Sequence, residues 1–444
     1  MKHYPKYRCS SCDWLQSIPE EWSTKRIKSL FRLRDERSYK PLSEVNLISL
    51  YAGLGVRQQK DIERTTGNKA RNADGYKIVY KNDIVVNILL CWMGAIGSSD
   101  YYGVTSPAYD VYKAIVDLNT KYYSYLFRTP FFSRQCYRNG KGIMAMRLRT
   151  YSPQFLSIVV PFPPRSEQDQ IVKFLDWKVS CINKLIGIKK REIQCLRRAK
   201  VSNIKEIIDD LKCNFRLKNI AKSYGRIGFR GYSTADLVEK GHGAITTSPS
   251  NISDMGMNFE QCSYLSWEKY EESPEIQLKK GDILVVKTGS SYGKTGFVDS
   301  LPLEATINPQ LLIIRADSDN VIPEYLFYSI KYGAIQEQIN KGIIGSTIPT
   351  ISESRIMSYR LSIPEVGIQR KRLEKIKNLE FRYNKLIHTF EQSIMELNNL
   401  KVGVVSDVVT GKVDVRNIEI PEYEFVEEEN DTVANSDNKE GPEE

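Results

Sequence analysis

PPRSEQDQIVKFLDWKVSCINKLIGIKKREIQCLRRAKVSNIKEIIDDL, residues 163–211, holds no proline after Pro164, and the next in the chain is Pro249. Apolar side chains recur at Ile171, Leu175, Val179, Ile182, Ile186, Ile193, Leu196, Ile204, Ile208 and Leu211, mostly three, four or seven residues apart. That is the period of one helix face. Ser166, directly after Pro163, Pro164 and Arg165, stands where an N-cap belongs. A second proline-free stretch, residues 367–409, carries Leu373, Ile376, Tyr383, Ile387, Phe390, Ile394, Leu397, Val404 and Val408, close to a heptad from Tyr383 onward. The remaining positions are mostly Lys, Arg, Glu, Gln and Asn. A stripe this narrow on so long a helix cannot be buried against a small globule; it needs another long helix. The chain supplies two, so mutual packing is expected, with Ile171, Leu175, Ile182, Ile186, Ile193 and Leu196 on one and Ile387, Phe390, Ile394 and Leu397 on the other as packing or partner-binding residues.

Outward from these stretches the chain repeats itself, with a period of about 200 residues, far longer than solenoid repeats. WSTKRI at 22–27 matches FRLKNI at 215–220, and KNDIVV at 81–86 matches KGDILV at 280–285. GAIG at 94–97 matches GKTG at 293–296, and YLF at 125–127 matches YLF at 325–327. Gly142-Ile143 matches Gly342-Ile343, and Pro163 with Gln168 matches Pro364 with Gln369. The order never changes. Each half begins with short β-type runs such as Ile84-Val85-Val86 and Leu311-Leu312-Ile313-Ile314, broken by Gly, Pro and Asn. Short helical stretches sit among them, and a long helix closes each half. The expected fold is α+β: two similar globular α/β domains separated by two long helices packed as an antiparallel coiled coil, with pseudo-twofold symmetry. The expected divisions are an N-terminal extension (1–16), a first domain (17–164), a central helix (165–212), a second domain (213–364), a distal helix (365–413) and an acidic disordered tail (414–444).

Charge points to a partner class. The net charge is +10. Residues 414–444 hold twelve acidic and two basic side chains, leaving the rest of the chain near +20. A body that basic suits a polyanion, most often nucleic acid, against the plainer reading of solubility alone. Helices of about 30–45 residues span roughly 45–65 Å, the length of roughly 13–20 base pairs. A basic, two-headed object of that size suits a split DNA site, one head to a groove. No run approaches about 18 uncharged apolar residues, and MKHYPKYRCSSCDW at the N-terminus has no apolar secretory core, so a cytoplasmic location is expected. Cys9 and Cys12 form the one CxxC among eight cysteines. With no second pair and three histidines, scattered reduced thiols are expected rather than a zinc site.

Several of these residues together resemble a known family. Ile18-Pro19-Glu20-Glu21-Trp22 with 25–30, Pro163 to Gln168 with the helix behind it, the echo at Ile363-Pro364-Glu365 and Ile368-Gln369, and the closing Thr410-Gly411-Lys412-Val413-Asp414-Val415 are similar to the specificity (S) subunit of bacterial type I restriction-modification systems. The resemblance covers about residues 17–416. It departs where the second half reads PEVGIQ for PPRSEQ, and at Gly403, which can bend the second helix. It implies two target recognition domains, each reading half of a bipartite double-stranded DNA site. It also implies two methyltransferase (modification) subunits docked on the helices and motor-nuclease (restriction) subunits joining for cleavage. Under that resemblance the chain is itself non-catalytic and binds no cofactor, and S-adenosylmethionine, ATP and Mg belong to the partner subunits. A stand-alone bivalent DNA-binding adaptor without a methyltransferase is the competing reading.

Enzyme readings find little support. Gly289-Ser290-Ser291-Tyr292-Gly293-Lys294-Thr295 is one residue short of a phosphate-binding loop, and the residues after it read as a strand, not a helix. Ser106-Pro107-Ala108-Tyr109 only faintly resembles an amino-methyltransferase motif, and no glycine-rich cofactor loop precedes it. His3, His242 and His388 are too few and scattered for histidine-based chemistry.

Base edges are read by Arg, Lys, Asn and Gln, and phosphates are held by Lys, Arg, Ser and Thr. In the first half the candidates are Arg57, Gln58, Gln59 and Lys60, with Arg64 beyond, then Trp92 and Met93, Lys141, Arg147 and Arg149. In the second they are Arg226 and Arg230, then Ser290, Ser291, Tyr292 and Lys294, then Lys341, Ser346 and Thr347. Each is set against the plainer reading of a solvated surface residue or an ordinary hairpin turn. Lys189, Lys190, Arg191, Arg197 and Arg198 on the first long helix read as a solvated face. If the helices set the distance between half-sites, one heptad inserted into each lengthens the unread spacer by roughly three base pairs, about 10 Å of added helix. Sequencing the methylated sites of a host carrying the insertion checks this, and an unchanged spacer contradicts it.

Overall fold

The structure, a computed structural model, describes residues 2–51, 55–61, 73–142, 148–209, 214–226, 231–253, 256–317, 319–341 and 350–428. The chain divides into two compact units: Met1–Arg191 with Phe390–Glu444, and Glu192–Thr389. The division falls inside both long helices.

The central sheet of the first unit orders Phe31–Arg34, Tyr109–Ala114, Ile84–Asn87 and Ile96–Ser98, all antiparallel. The second unit repeats that order with Ala221–Gly225, Leu311–Ala316, Ile283–Val286 and Thr295–Phe297. Side chains alternate across a strand, and here both faces are covered, which is why these strands read as unbroken apolar runs. Ile84 and Val86 enter the main core of the first unit while Val85 enters a smaller core with Ile48, Leu50, Val56 and Val79. Ile283 and Val285 face one core of the second unit, Leu284 and Val286 the other.

Three short helices follow in each unit: Thr120–Phe127, Pro130–Asn139 and Ser152–Ser157 in the first, Pro323–Tyr332, Ala334–Lys341 and Glu353–Ser358 in the second. Asn119 caps the first of these by accepting from Lys121 N, and Thr129 caps the second with Pro130 at its first position.

The long helices are Arg165–Ile208 and Val366–Val409, each 44 residues. The repeated proline and glutamine at their starts have one job in both units. Gln168, fully buried, donates to the Pro163 carbonyl (2.8 Å) and accepts from Asn119 N (2.8 Å). Gln369 donates to the Pro364 and Asn320 carbonyls (2.7 Å each) and accepts from Ile322 N (2.9 Å). Each glutamine thus ties the start of a long helix to the start of a short one. A tyrosine–carboxylate bond holds the pair farther along: Tyr125 to Asp176 (2.7 Å) and Tyr328 to Glu380 (2.6 Å).

Within each unit the long helices run antiparallel. In the first, Lys401 Nζ reaches Asn183 Oδ1 (3.4 Å) and Lys189 Nζ lies 4.7 Å from the Phe390 ring. In the second, Lys200 Nζ donates to Asn384 (3.2 Å), Asn203 to the Tyr383 hydroxyl (2.9 Å) and Arg372 to the Ile208 carbonyl (3.3 Å). Ile182, Ile186, Ile193 and Ile387 are buried, and Leu196, Phe390, Ile394 and Leu397 half-buried. Ile171 and Leu175 belong instead to the core of the first unit, beside Trp22 and Val408.

Two expected terminal appendages are part of the first unit. Tyr7–Cys9 pairs with Ser17–Pro19, and Tyr4, Cys12 and Leu15 are buried in the same core as Val408, Val409 and Val415. The segment expected to be disordered from 414 is packed as far as 428: Asp414 N donates to the Lys2 carbonyl (2.9 Å), and Arg416 bonds Asp414 and Glu21 (2.9 Å each). Residues 429–444 lie outside the described residues. The apolar side chains of 415–426 explain the difference, because a net-charge count hides them.

Gly411, two residues beyond the second long helix, has φ +76°, and a Cβ there would lie 2.5 Å from Pro19 Cδ and 3.1 Å from Trp22. Gly403, within the continuous helix, has nothing within 4 Å. Gly411→Ala is expected to cost on the order of 2–4 kcal/mol, from a left-handed backbone plus a clash. Gly403→Ala is expected to add about 0.5–1 kcal/mol. Thermal unfolding midpoints of the two variants should therefore move in opposite directions.

Candidate nucleic-acid interface

In the first unit the chain leaves Ile84–Asn87, turns through the 3-10 segment Cys91–Met93 and returns as Ile96–Ser98. Asn87 Oδ1 accepts from Leu89 N (3.0 Å) and Leu90 N (3.3 Å), and Gly94 ends the turn at φ +81°. Trp92 is half-buried, edge-on to Tyr137 with centroids 5.9 Å apart, while Met93 is exposed. Beside it Lys141 and Arg149 form an antiparallel bridge (2.9 and 3.0 Å), both side chains outward. Thr150 N donates to the Ile88 carbonyl (2.9 Å), joining bridge to turn. Four predicted residues, Trp92, Met93, Lys141 and Arg149, therefore share one loop cluster, with two exposed cations beside an exposed apolar tip.

Arg57 and Gln58 lie on the strand Gly55–Gln58, and Gln59 and Lys60 in the turn Gln59–Asp61. This strand pairs with Ile48–Tyr51, and the hairpin approaches Gly97 so closely that a Cβ there would sit 3.2 Å from Val56. Gly296, the repeat partner of Gly97, gives the same room to Ile252 and Met257 of the hairpin Ile252–Ser253/Gly256–Met257. The repeated glycine is thus explained by close approach rather than by phosphate binding. Arg57 lies 3.4 Å from Glu427, in contact with the C-terminal segment. Arg64 and Arg147 lie outside the described residues.

In the second unit the loop between Ile283–Val286 and Thr295–Phe297 holds Gly289 (φ +108°) and Gly293 (φ +78°). Its successor is a strand, as expected from sequence, not the helix that a phosphate-binding loop leads into. Ser290 is exposed at the tip, and Ser291 and Lys294 are partly exposed. Tyr292 is partly buried: its ring packs on the core and its hydroxyl reaches the Ile339 carbonyl (3.4 Å). Arg226 is also not a surface contact. It is buried, donating to the Ile307 carbonyl (3.1 Å) and Thr306 Oγ1 (3.2 Å) under Tyr232. A cation among Gly and Tyr reads as a loop cation in sequence, and only the fold places it inside. Arg230, Ser346, Thr347 and the side chain of Lys341 lie outside the described residues.

Arg128 was not singled out by sequence. It ends Thr120–Phe127, its Nε bonds the Ser124 carbonyl (3.1 Å), and its guanidinium lies against Gly55. Burial pulls its pKa below the ordinary value, opposed by Tyr125 and Glu428. The signal was present: the YLF of the first half is followed by Arg128, that of the second by Tyr328. Cys9 is exposed and Cys12 buried, and among the described residues no His, Cys, Asp and Glu group is placed to hold a metal. No described helix is long and apolar enough to cross a membrane.

Comparison with known proteins follows the same twofold pattern. Residues 19–194 and 232–396 match the type I restriction modification DNA specificity domain. The chain is 22% identical over 427 residues to the type I restriction enzyme MjaVIII specificity subunit of Methanocaldococcus jannaschii, covering 90% of this chain and 95% of that one. A solved chain from work on complex assembly and conformational transition of the type I R-M system superposes with a TM-score of 0.64 at 14% identity, over 89% of this chain and 99% of that one. The HsdS subunit from Thermoanaerobacter tengcongensis gives 0.46 at 13% identity, over 89% and 98%.

Arg226→Ala should lower stability by about 1–3 kcal/mol, because buried acceptors lose their donor. Arg149→Ala, at an exposed bridge, should stay within about 0.5 kcal/mol. Denaturant titration of both variants checks the assignment; equal effects contradict it.

Proposed function

This chain belongs to the type I restriction modification DNA specificity family, and from that premise we propose that each unit reads one half of a bipartite duplex site. It is a DNA-binding specificity subunit of a type I restriction-modification system, and its family's role is DNA recognition rather than catalysis. The observation that carries the finer reading is the double match, over 19–194 and 232–396, to two units with one sheet order and unlike loops. A shared framework with different loops is what two different half-site sequences require.

In the first unit Lys141 and Arg149 are suited to phosphate or guanine contacts beside Trp92 and Met93, with Gln58, Gln59 and Lys60 on the neighbouring hairpin. In the second, Ser290, Ser291 and Lys294 are the described candidates. The system implies methyltransferase and restriction partner subunits. Two modification subunits would dock on the long helices, whose exposed Leu185, Ile188 and Val201, and Phe381, Leu386 and Met395, offer apolar surface. The motor-nuclease subunits would join that assembly. S-adenosylmethionine, ATP and Mg would then reside on those partners. Family membership supports this reading over a free-standing adaptor.

Exchanging residues 20–163 for the equivalent segment of another family member should change one half-site and leave the other intact. Methylome sequencing of a host expressing the exchanged chain with its partners decides it. Both halves changing, or neither, contradicts the assignment of one half-site per unit.

A further inference from the structure

The C-terminal segment runs as an extended strap along the first long helix. Gln170 Nε2 donates to the carbonyls of Val415 (3.1 Å) and Ile418 (2.8 Å). Ser180 Oγ donates to the Glu424 carbonyl (2.9 Å) and accepts from Val426 N (2.7 Å), and Asn183 donates to the Val426 carbonyl (3.1 Å). Lys184 pairs with Glu424 (3.3 Å) and Lys401 with Glu428 (2.8 Å). Main-chain bonds to three side chains fix a register, which a merely acidic tail would not need.

That register makes residues 425–428 one wall of a cleft of about 200 Å³, whose other walls include Arg57, Arg128, Lys121, Asp176 and Asn183. Glu427 lies 3.4 Å from Arg57. Gly55, at φ +77°, lets the Arg128 guanidinium lie against the backbone, 3.2 Å from where a Cβ would be. Asp176 is engaged by the Tyr125 hydroxyl and Asp100 by Lys121 (3.5 Å). The cleft therefore sets two arginines beside the strap's own carboxylates, Glu427 against Arg57, and Glu428, held by Lys401, lining the same cleft as Arg128. The cleft borders the hairpin that carries Gln58, Gln59 and Lys60.

We propose that the strap and the DNA backbone compete for Arg57 and Arg128, so that Glu427 and Glu428 restrain binding by the first unit until duplex phosphate displaces them. This rests on the DNA-recognition reading above. Surface ion pairs are individually weak, but a tethered segment acts at an effective concentration near millimolar, enough to exclude weak non-specific contacts while yielding to a matched site.

The test uses the full chain assembled with its modification subunits and a mixed-sequence duplex, titrated at several salt concentrations. Glu427→Gln with Glu428→Gln removes the charges and keeps the packing, and truncation after Ile420 removes the strap. Both should bind about 5–20-fold tighter, with a log–log salt slope steeper by about one to two, since each regained phosphate contact adds about 0.9. Arg57→Ala should cancel most of the gain in the double-glutamine background and weaken binding by the unaltered chain by a clearly smaller factor. Affinity and slope unchanged in the double-glutamine variant, or Arg57→Ala acting equally in both backgrounds, overturns the proposal while leaving DNA recognition standing. Failure of every form to bind duplex overturns both.

Discussion

A 44-residue helix with one narrow apolar stripe cannot stand alone in water, and much of this molecule follows from how that stripe is covered. In each unit the cover is the other long helix, running the opposite way, and at the unit's core the stripe is absorbed among the short helices and the sheet. Where the two helices meet, apolar contacts alternate with polar ones such as Lys200–Asn384 and Asn203–Tyr383. Polar pairs of this kind penalise a slipped register, because a shift would leave a partly buried amine or amide without its partner. The two buried glutamines then transmit the helix position to the first short helix of each unit.

The halves differ in instructive ways. Asp83 and Asp282 occupy matching positions and each takes a two-pronged arginine. The arginine of the first comes from the opening strand of its sheet, Arg34 (2.8 and 3.1 Å), that of the second from the sheet's last strand in sequence, Arg315 (2.6 and 2.7 Å). Burial pushes the Asp83 carboxyl up while Arg34 opposes it, so the carboxylate depends on that partner. Either strand can supply the cation, and so the pairing survives while the sequence around it changes. Outside the central sheet the resemblance loosens. The first unit has a three-stranded sheet, the second a four-stranded one whose Gly243–Thr247 and Ala305–Ile307 run parallel, an arrangement the first keeps as a single Leu47–Val104 bridge. Variation is concentrated in the layer that carries the hairpins and loops.

The long helices and the duplication were legible because periodicity and order are properties of sequence itself. Gln168 and Gln369 could be found the same way, although their purpose could not: nothing local says that an amide five residues after a proline will bond a strandless turn nearly fifty residues earlier. The misreadings share one cause. Residue type alone puts Arg226 on the surface, yet its burial is set by distant chain, Thr306 and Ile307. The acidic end was judged by its net charge, which conceals Val415, Ile418, Ile420 and Val426 and the helix side chains waiting for their carbonyls.

The core of the first unit joins Tyr4, Trp22 and Phe31 to Val408, Val409 and Val415. The second unit, 192–389, is contiguous. On a ribosome the order of completion is therefore inverted: the later-made half can close first, while the earlier-made half waits for about 220 further residues. At roughly 5–20 residues per second that interval is on the order of ten to forty seconds. Throughout it the face of the core that Val408, Val409 and Gly411 later cover, with Trp22 and Tyr122 in it, stays open, a site for a holding chaperone to occupy.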